Sequence, residues 1–284
     1  MTNKQHHELA VAACRIRMGI IEGTYCAKSG HPGGSLSAAD LFAYLYGAEL
    51  RVDPKNPQWP GRDRFVLSKG HTAPGLYAAL ALRGFFPVED LKTLRHIGSY
   101  LQGHPNMNSV PGVDMSTGSL GQGVSVAAGM AKAAKLMNSG VNVYTLLGDG
   151  EIEEGEVWEA FMFAAHYKLH NLCVIIDLNG LQIDGATRDV MNVEPVPDKL
   201  RAFGFDVADV DGHDFEQLEQ AFARFHAAAG TGRPTAILMR TVKGKGVSFM
   251  ENAVDWHGKG PNGAEYAQAM DELRAQLDRL EAAQ

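Results

Sequence analysis

The sequence predicts an α/β protein built on a mostly parallel central sheet with helices on both faces, in three layers. Three observations carry that expectation. From Gly118 onward, short apolar runs alternate with stretches of helical spacing. The apolar runs Val141–Leu147, Leu172–Leu178, Phe205–Val210 and Thr235–Met239 are almost continuously apolar, as in strands buried on both faces of a parallel sheet. The chain has 284 residues and is 45% hydrophobic, enough for one large core.

In chain order, Glu8–Ala27 has helical spacing, with Leu9, Ala12, Ile16, Ile20 and Gly23 on one face. Ser29-Gly30-His31-Pro32-Gly33-Gly34 breaks that helix, and Ser37 suits the N-cap of the next. Pro54–Gly61 is a loop. Phe65–Leu67 is a short buried strand ending at Ser68-Lys69-Gly70-His71, with a helix over Pro74–Leu82. Gly98–Ser119 is a loop long enough to suggest function. Helices are predicted over Gln122–Met137, Glu153–Tyr167 and Phe215–Ala228, between the later strands. From about residue 263 an acidic amphipathic helix forms a C-terminal tail. No repeat or linker is evident, so residues 1–284 read as one domain.

Composition removes several functions. A net charge of −7 and a pI near 5.9 disfavour nucleic acid as a partner. No apolar run is long enough to span a membrane, and the polar start lacks a signal-peptide core, so the expected location is cytoplasmic. Cys14, Cys26 and Cys173 lie far apart and suggest neither a disulfide frame nor a zinc site.

Two strands deliver polar, glycine-flanked residues to what should be one sheet edge. These are Gly148-Asp149-Gly150 and Asn179-Gly180-Leu181. Asp149 offers a carboxylate, Asn179 an amide oxygen and Leu181 a backbone carbonyl. That hard-oxygen set suits Mg2+ or Ca2+ with phosphate oxygens and water. Gly150 permits close approach of a phosphate, and a helix starting near Glu153 would aim its amides at an anion. Asp149 and Asn179 also suit plain turns after strands. The pairing of the two loops is more specific than either alone.

The Gly-Asp-Gly motif with Asn179 thirty residues after Asp149 resembles the thiamine diphosphate enzymes. Their fold is a thiamine diphosphate-binding α/β sheet. More closely, the chain resembles the N-terminal part of transketolase. The matching motifs are Ser29-Gly30-His31-Pro32, Arg62 to His71, Gly103-His104-Pro105, Gly118-Ser119-Leu120-Gly121-Gln122-Gly123 and Trp256-His257-Gly258-Lys259. They occur in order over residues 10 to 260.

The resemblance implies roles at these positions. Asp149, Asn179 and the Leu181 carbonyl match metal ligands, for Mg2+ or its substitutes Ca2+ and Mn2+. His71, Gly118, Ser119, Leu120, Gly150, Asn179, Lys243 and His257 match cofactor contacts. Lys243 and His257 make sense there because a diphosphate needs cationic or donor partners. His31, His71, His104 and His257 match the catalytic cluster that binds substrate oxygens and shuttles protons, work suited to groups titrating near neutrality. His6, His7, His96, His166, His170 and His226 match nothing. His213 matches a family turn and reads mainly as a helix-entry loop.

Glu151, Glu153, Glu154, Glu156 and Glu159 open a helix, where the macrodipole favours carboxylates. Glu154 and Glu159 also match interface acids of the family, and Glu154 is counted among the catalytic candidates because it would lead toward the glutamate that activates the cofactor. Gly34 departs from a serine of some members, which puts one contact in doubt. The glycines at 118 to 123 are not a dinucleotide fingerprint, and Lys243-Gly244-Lys245-Gly246 is not a P-loop.

Transketolases are usually more than twice this length, and their second half supplies the activating glutamate and the substrate phosphate site. The resemblance therefore implies one subunit of a split transketolase with a separate C-terminal partner, in an α2β2 assembly acting on sugars or sugar phosphates. It would transfer a two-carbon ketol unit from a ketose to an aldose. The alternatives are a subunit of a 2-oxo acid dehydrogenase or deoxyxylulose phosphate synthase, or a non-catalytic cofactor-binding subunit.

Overall fold

The computed structural model describes residues 1–283. Helix α1 spans Asn3–Ala27 and starts five residues before the apolar spacing does. A capping box explains the extension. The Thr2 hydroxyl accepts the Gln5 N–H, and the Gln5 amide oxygen accepts the Thr2 N–H. After Pro32, two short helices follow, α2 (Pro32–Ser37) and α3 (Ala39–Tyr44), the latter running into a π turn over Leu45–Glu49. Ser37 is therefore the last residue of α2 rather than a cap. Its hydroxyl is drawn inward to donate to Asp177 Oδ2 at 2.6 Å.

Strand β1 is Arg64–Leu67 and α4 is Ala73–Arg83, stopped by Gly84 in the left-handed region. The loop over residues 98–119 holds no helix or strand, as anticipated. Then come α5 (Gln122–Leu136), β2 (Val143–Gly148), α6 (Gly155–His166) and β3 (Leu172–Leu178). A two-stranded hairpin, β4 (Leu181–Gln182) with β5 (Gly185–Ala186), follows the Asn179 loop and was not foreseen. The chain continues through α7 (Thr187–Val190), α8 (Val196–Ala202), β6 (Asp206–Asp211), α9 (Phe215–Ala227), β7 (Thr235–Arg240) and α10 (Gly263–Ala282).

The five long strands form one parallel sheet in the order β1-β2-β3-β7-β6. Alternate residues feed two cores. Tyr144, Leu146, Cys173, Ile175, Ile237 and Met239 pack with α1, α3, α4 and α9 on one face. Val143, Leu147, Val174, Ile176, Ala236 and Leu238 pack with α5, α6 and α8 on the other. The C-terminal helix α10 lies on α1, burying Ala269, Met270 and Leu273, with Tyr266 stacked on Tyr25 at 4.1 Å. No helix among the described residues is long and apolar enough to cross a membrane.

Register sets the site. Gly148 pairs with Asp177, and Leu178 with Arg240, so β2, β3 and β7 end level with one another. The loops carrying Asp149, Asn179 and Lys243 leave from adjacent strands of one edge, where parallel sheets place ligands.

Candidate active site

Asp149 ties the two glycine loops together. Its Oδ1 accepts the Gly150 N–H at 2.9 Å and its Oδ2 accepts the Gly180 N–H at 2.6 Å. Asn179 Oδ1 accepts the Leu181 N–H at 3.1 Å, which turns the Leu181 backbone into the hairpin. Asp149 is only 3% exposed. Burial, with the Asp177 carboxylate behind it, pushes its carboxyl up to about 6 against the pull of those amides and Lys69. A carboxylate held at that cost is one a divalent cation would relieve. The Leu181 carbonyl receives the Lys243 ammonium at 3.1 Å and keeps a second lone pair.

Beneath this layer lies a buried ion pair that sequence reasoning missed. Lys69 donates to Asp177 and to the Gly34 carbonyl, the latter at 3.1 Å. Asp177 also accepts from Ser37, Thr241 and the Asn179 amide. Burial raises its carboxyl, but the Lys69 ammonium and these donors outweigh that and hold it below the usual carboxylate range. The signal was present in the sequence, since a lone aspartate in an otherwise apolar strand needs a partner.

Glu151 corrects a second expectation. It does not open a helix. Residues Glu151–Glu153 form a 3-10 turn and α6 begins at Gly155, because Glu151 is turned inward and is 2% exposed. It accepts from Ser68 Oγ at 2.5 Å, the Gly121 N–H at 3.0 Å and the Gly148 N–H at 3.1 Å. It therefore fastens the glycine loop at 118–121 to the end of β2. On this side the cleft is lined by Gly150 and Glu151, at the start of the 3-10 turn, rather than by the first turn of α6. Gln182, also missed, lines the cleft and donates to Glu153 at 2.6 Å.

Lys243 projects from the loop after β7. Its ammonium donates to His257 Nδ1 at 2.8 Å, which leaves the His257 proton on Nε2. Burial lowers the lysine to about 8. The rings of His31, His71 and His257 form a triangle with centroids 5.1 to 5.5 Å apart. Burial, then neighbouring positive groups, lowers His31 to about 4 and His257 to about 3, and takes His71 well below its ordinary value. His104 is lowered by burial and Arg95. Burial and the nearby cationic groups thus hold His31, His71 and His257 toward the neutral form. Neutral rings each offer one donor and one acceptor. His31 Nδ1 is buried with no partner, an orphan suited to a ligand.

One cleft brings together Asp149, Gly150, Asn179, Leu181, Lys243, His71, His257 and Leu120. His31 joins it through its ring contacts. His104 stands beside it, its ring against Gly118, where an added Cβ would come within 3.2 Å. Ser119 is exposed at the rim, and Glu154 is exposed ahead of α6, outside the cleft. Gly34 lines the cleft where a Cβ would meet Thr72 at 3.0 Å. Among the described residues, no group of three His, Cys, Asp or Glu could hold a metal. The oxygen set of carboxylate, amide and carbonyl does not depend on one.

The donors present fit a metal-bound diphosphate: one buried carboxylate, two neutral oxygens, a lysine and glycine-lined walls. Residues 7–278 match the family described as transketolase, thiamine diphosphate binding domain. This chain belongs to the transketolase family. It is 46% identical over 255 residues to the 6-deoxy-6-sulfo-D-fructose transketolase subunit of a Clostridium strain, covering 90% of this chain and 92% of that one. It is 42% identical over 265 residues to an apulose-4-phosphate transketolase subunit of Phocaeicola vulgatus, covering 93% of each. The transketolase structure from Campylobacter jejuni superposes with a TM-score of 0.86 at 31% identity, over 99% of this chain and 46% of that one. Relative to that transketolase, this chain spans under half the length.

The loop that carries Lys243 depends on Gly244. Its φ is +80°, and an added Cβ would fall 2.1 Å from the Met250 carbonyl oxygen. Gly244→Ala is expected to cost about 1–3 kcal/mol in urea unfolding through backbone strain and forced loop movement. A loss below a few tenths of a kcal/mol would mean that the loop is free to shift.

Proposed function

We propose that this chain is the N-terminal, cofactor-binding subunit of a two-subunit transketolase, moving a two-carbon ketol unit from a ketose to an aldose. The observation that carries this reading is the single cleft in which the Asp149–Asn179–Leu181 oxygens, Lys243 and the histidine triangle meet. The neighbours named as subunits span nearly the same length as this chain. When bound, thiamine diphosphate supplies the carbon that accepts and releases the two-carbon unit.

Asp149, Asn179 and the Leu181 carbonyl would hold Mg2+, with Ca2+ or Mn2+ as substitutes. Lys243, with His257 beside it, would take the diphosphate charge. Gly118, Ser119, Leu120, His71, Gly150 and Asn179 would shape the rest of the cofactor seat. His31, His71, His104 and His257 would hold substrate hydroxyls and the carbonyl by neutral hydrogen bonds, and move protons only within such bonds. Glu154, exposed and outside the cleft, would act toward the partner subunit. We read the whole chain as one domain with α10 as its packed tail, in an α2β2 complex with a separate C-terminal subunit. We place it in the cytoplasm, in keeping with its three unpaired cysteines.

The test is turnover by the purified chain and by its co-expressed complex. The chain alone should be inactive. The complex should cleave phosphorylated or sulfonated ketoses, the two donor types in the relatives' names, only with thiamine diphosphate and Mg2+. Turnover of 2-oxo acids but no ketose would overturn the reading, as would a complex inactive with every donor.

A further inference from the structure

The loop that carries Lys243 is held from both sides by one buried polar unit. The Val242 N–H donates to His213 Nε2 at 2.9 Å. Accepting there, His213 keeps its proton on Nδ1, which donates to Asp40 Oδ2 at 2.6 Å. Asp40 is buried and is gripped by both Arg17 terminal nitrogens, Nη1 to Oδ1 at 3.1 Å and Nη2 to Oδ2 at 2.5 Å. Arg17 then returns to the loop, its Nε donating to the Lys245 carbonyl at 3.0 Å. Gly246, at φ +94°, closes the loop onto Arg17, whose Cδ would lie 2.9 Å from an added Cβ.

Arg17 lies on α1, Asp40 on α3 and His213 in the turn before α9. Three distant segments thus converge on the two residues that bracket Lys243 and Gly244. A buried ion pair gives little net stability compared with apolar residues of the same volume. Stability alone therefore does not account for an arginine, an aspartate and a histidine here. Fixed loop geometry does. A lysine has a long, flexible side chain, and each degree of freedom removed before binding is one that binding need not remove.

We propose that Arg17, Asp40 and His213 are positioning residues that preorganise the Lys243 loop for the cofactor diphosphate. The proposal rests on the reading of Lys243 as a diphosphate contact. Its test is a double-mutant cycle read by calorimetric titration, not by activity. The full chain, alone and with its C-terminal partner, is titrated with thiamine diphosphate and separately with inorganic pyrophosphate, at saturating Mg2+. His213→Ala should weaken both ligands about ten-fold, the low end of the losses seen when groups that orient metal ligands are removed. His213→Gln keeps a donor and an acceptor and should recover most of that loss. In a Lys243→Met background, His213→Ala should add nothing, because its effect runs through the lysine.

If Lys243→Met leaves both affinities unchanged, the diphosphate reading itself fails. If Lys243→Met weakens binding but His213→Ala does not, or if the two losses multiply in the double variant, the positioning role fails and the site reading stands. His213→Asn, too short to span both partners, runs the same cycle should the alanine variant not fold.

Discussion

Asp149→Asn is expected to abolish Mg2+-dependent binding of thiamine diphosphate while leaving the chain folded. The amide oxygen can still accept one of the two N–H bonds that Asp149 takes from Gly150 and Gly180. What the variant loses is the only charged oxygen of the Asp149–Asn179–Leu181 set, and a hard cation depends on that charge. Outer-shell partners of metal ligands cost roughly 10–100-fold in affinity when removed. Loss of this direct ligand should exceed about 100-fold by the same scale. Without metal, the variant should stay folded with only a small change in stability, because relief of the desolvated Asp149 carboxylate offsets the one N–H bond that the amide cannot accept. Thermal unfolding separates the two effects. The parent should gain stability from Mg2+ and cofactor together, as any ligand of the native state provides. Asp149→Asn should gain none. A parent-like shift in the variant would remove Asp149 from the metal site.

Lys69→Met should be the most destabilising single change near the cleft. It leaves Asp177, which has no exposed surface, without its only cationic partner among the described residues. Breaking a buried pair by removing one member costs about 3–5 kcal/mol. Ser37, Thr241 and Asn179 still donate to Asp177, which favours the lower part of that range. The Gly34 carbonyl also loses its Lys69 donor, so α2 should loosen beside the cleft. Urea unfolding at constant m would report the loss. Adding Asp177→Asn to Lys69→Met should restore part of it, since the uncompensated charge is then gone. A cost under about 1 kcal/mol for Lys69→Met would mean that water reaches Asp177.

The fold class and most long elements were legible from local patterns. Continuous apolar runs such as Leu172–Leu178 announced a parallel sheet, and the helical spacing after Phe215 and Gly263 placed α9 and α10. The two glycine loops that line the cleft were legible too, because Gly148-Asp149-Gly150 and Asn179-Gly180-Leu181 combine strand ends with oxygen donors. Boundaries failed where a side chain had a distant partner. Glu151 looked like a helix opener and is an internal fastener for Gly121 and Gly148. Ser37 looked like a cap and serves Asp177. His213 read as a turn residue and reaches both Asp40 and Val242.

The sequence by itself determined the layers, the five strands of the main sheet and the residue types at its carboxyl edge. Those follow from hydrophobic period and from motifs whose members are a few residues apart, so backbone geometry alone brings them together. Only the tertiary structure decided which charges face each other. Lys69 meets Asp177, Arg17 meets Asp40, and Lys243 meets His257 because strand order and helix packing place them there. It also decided how far His31, His71 and His257 are pushed toward the neutral form, since desolvation and neighbouring cations act through space rather than along the chain.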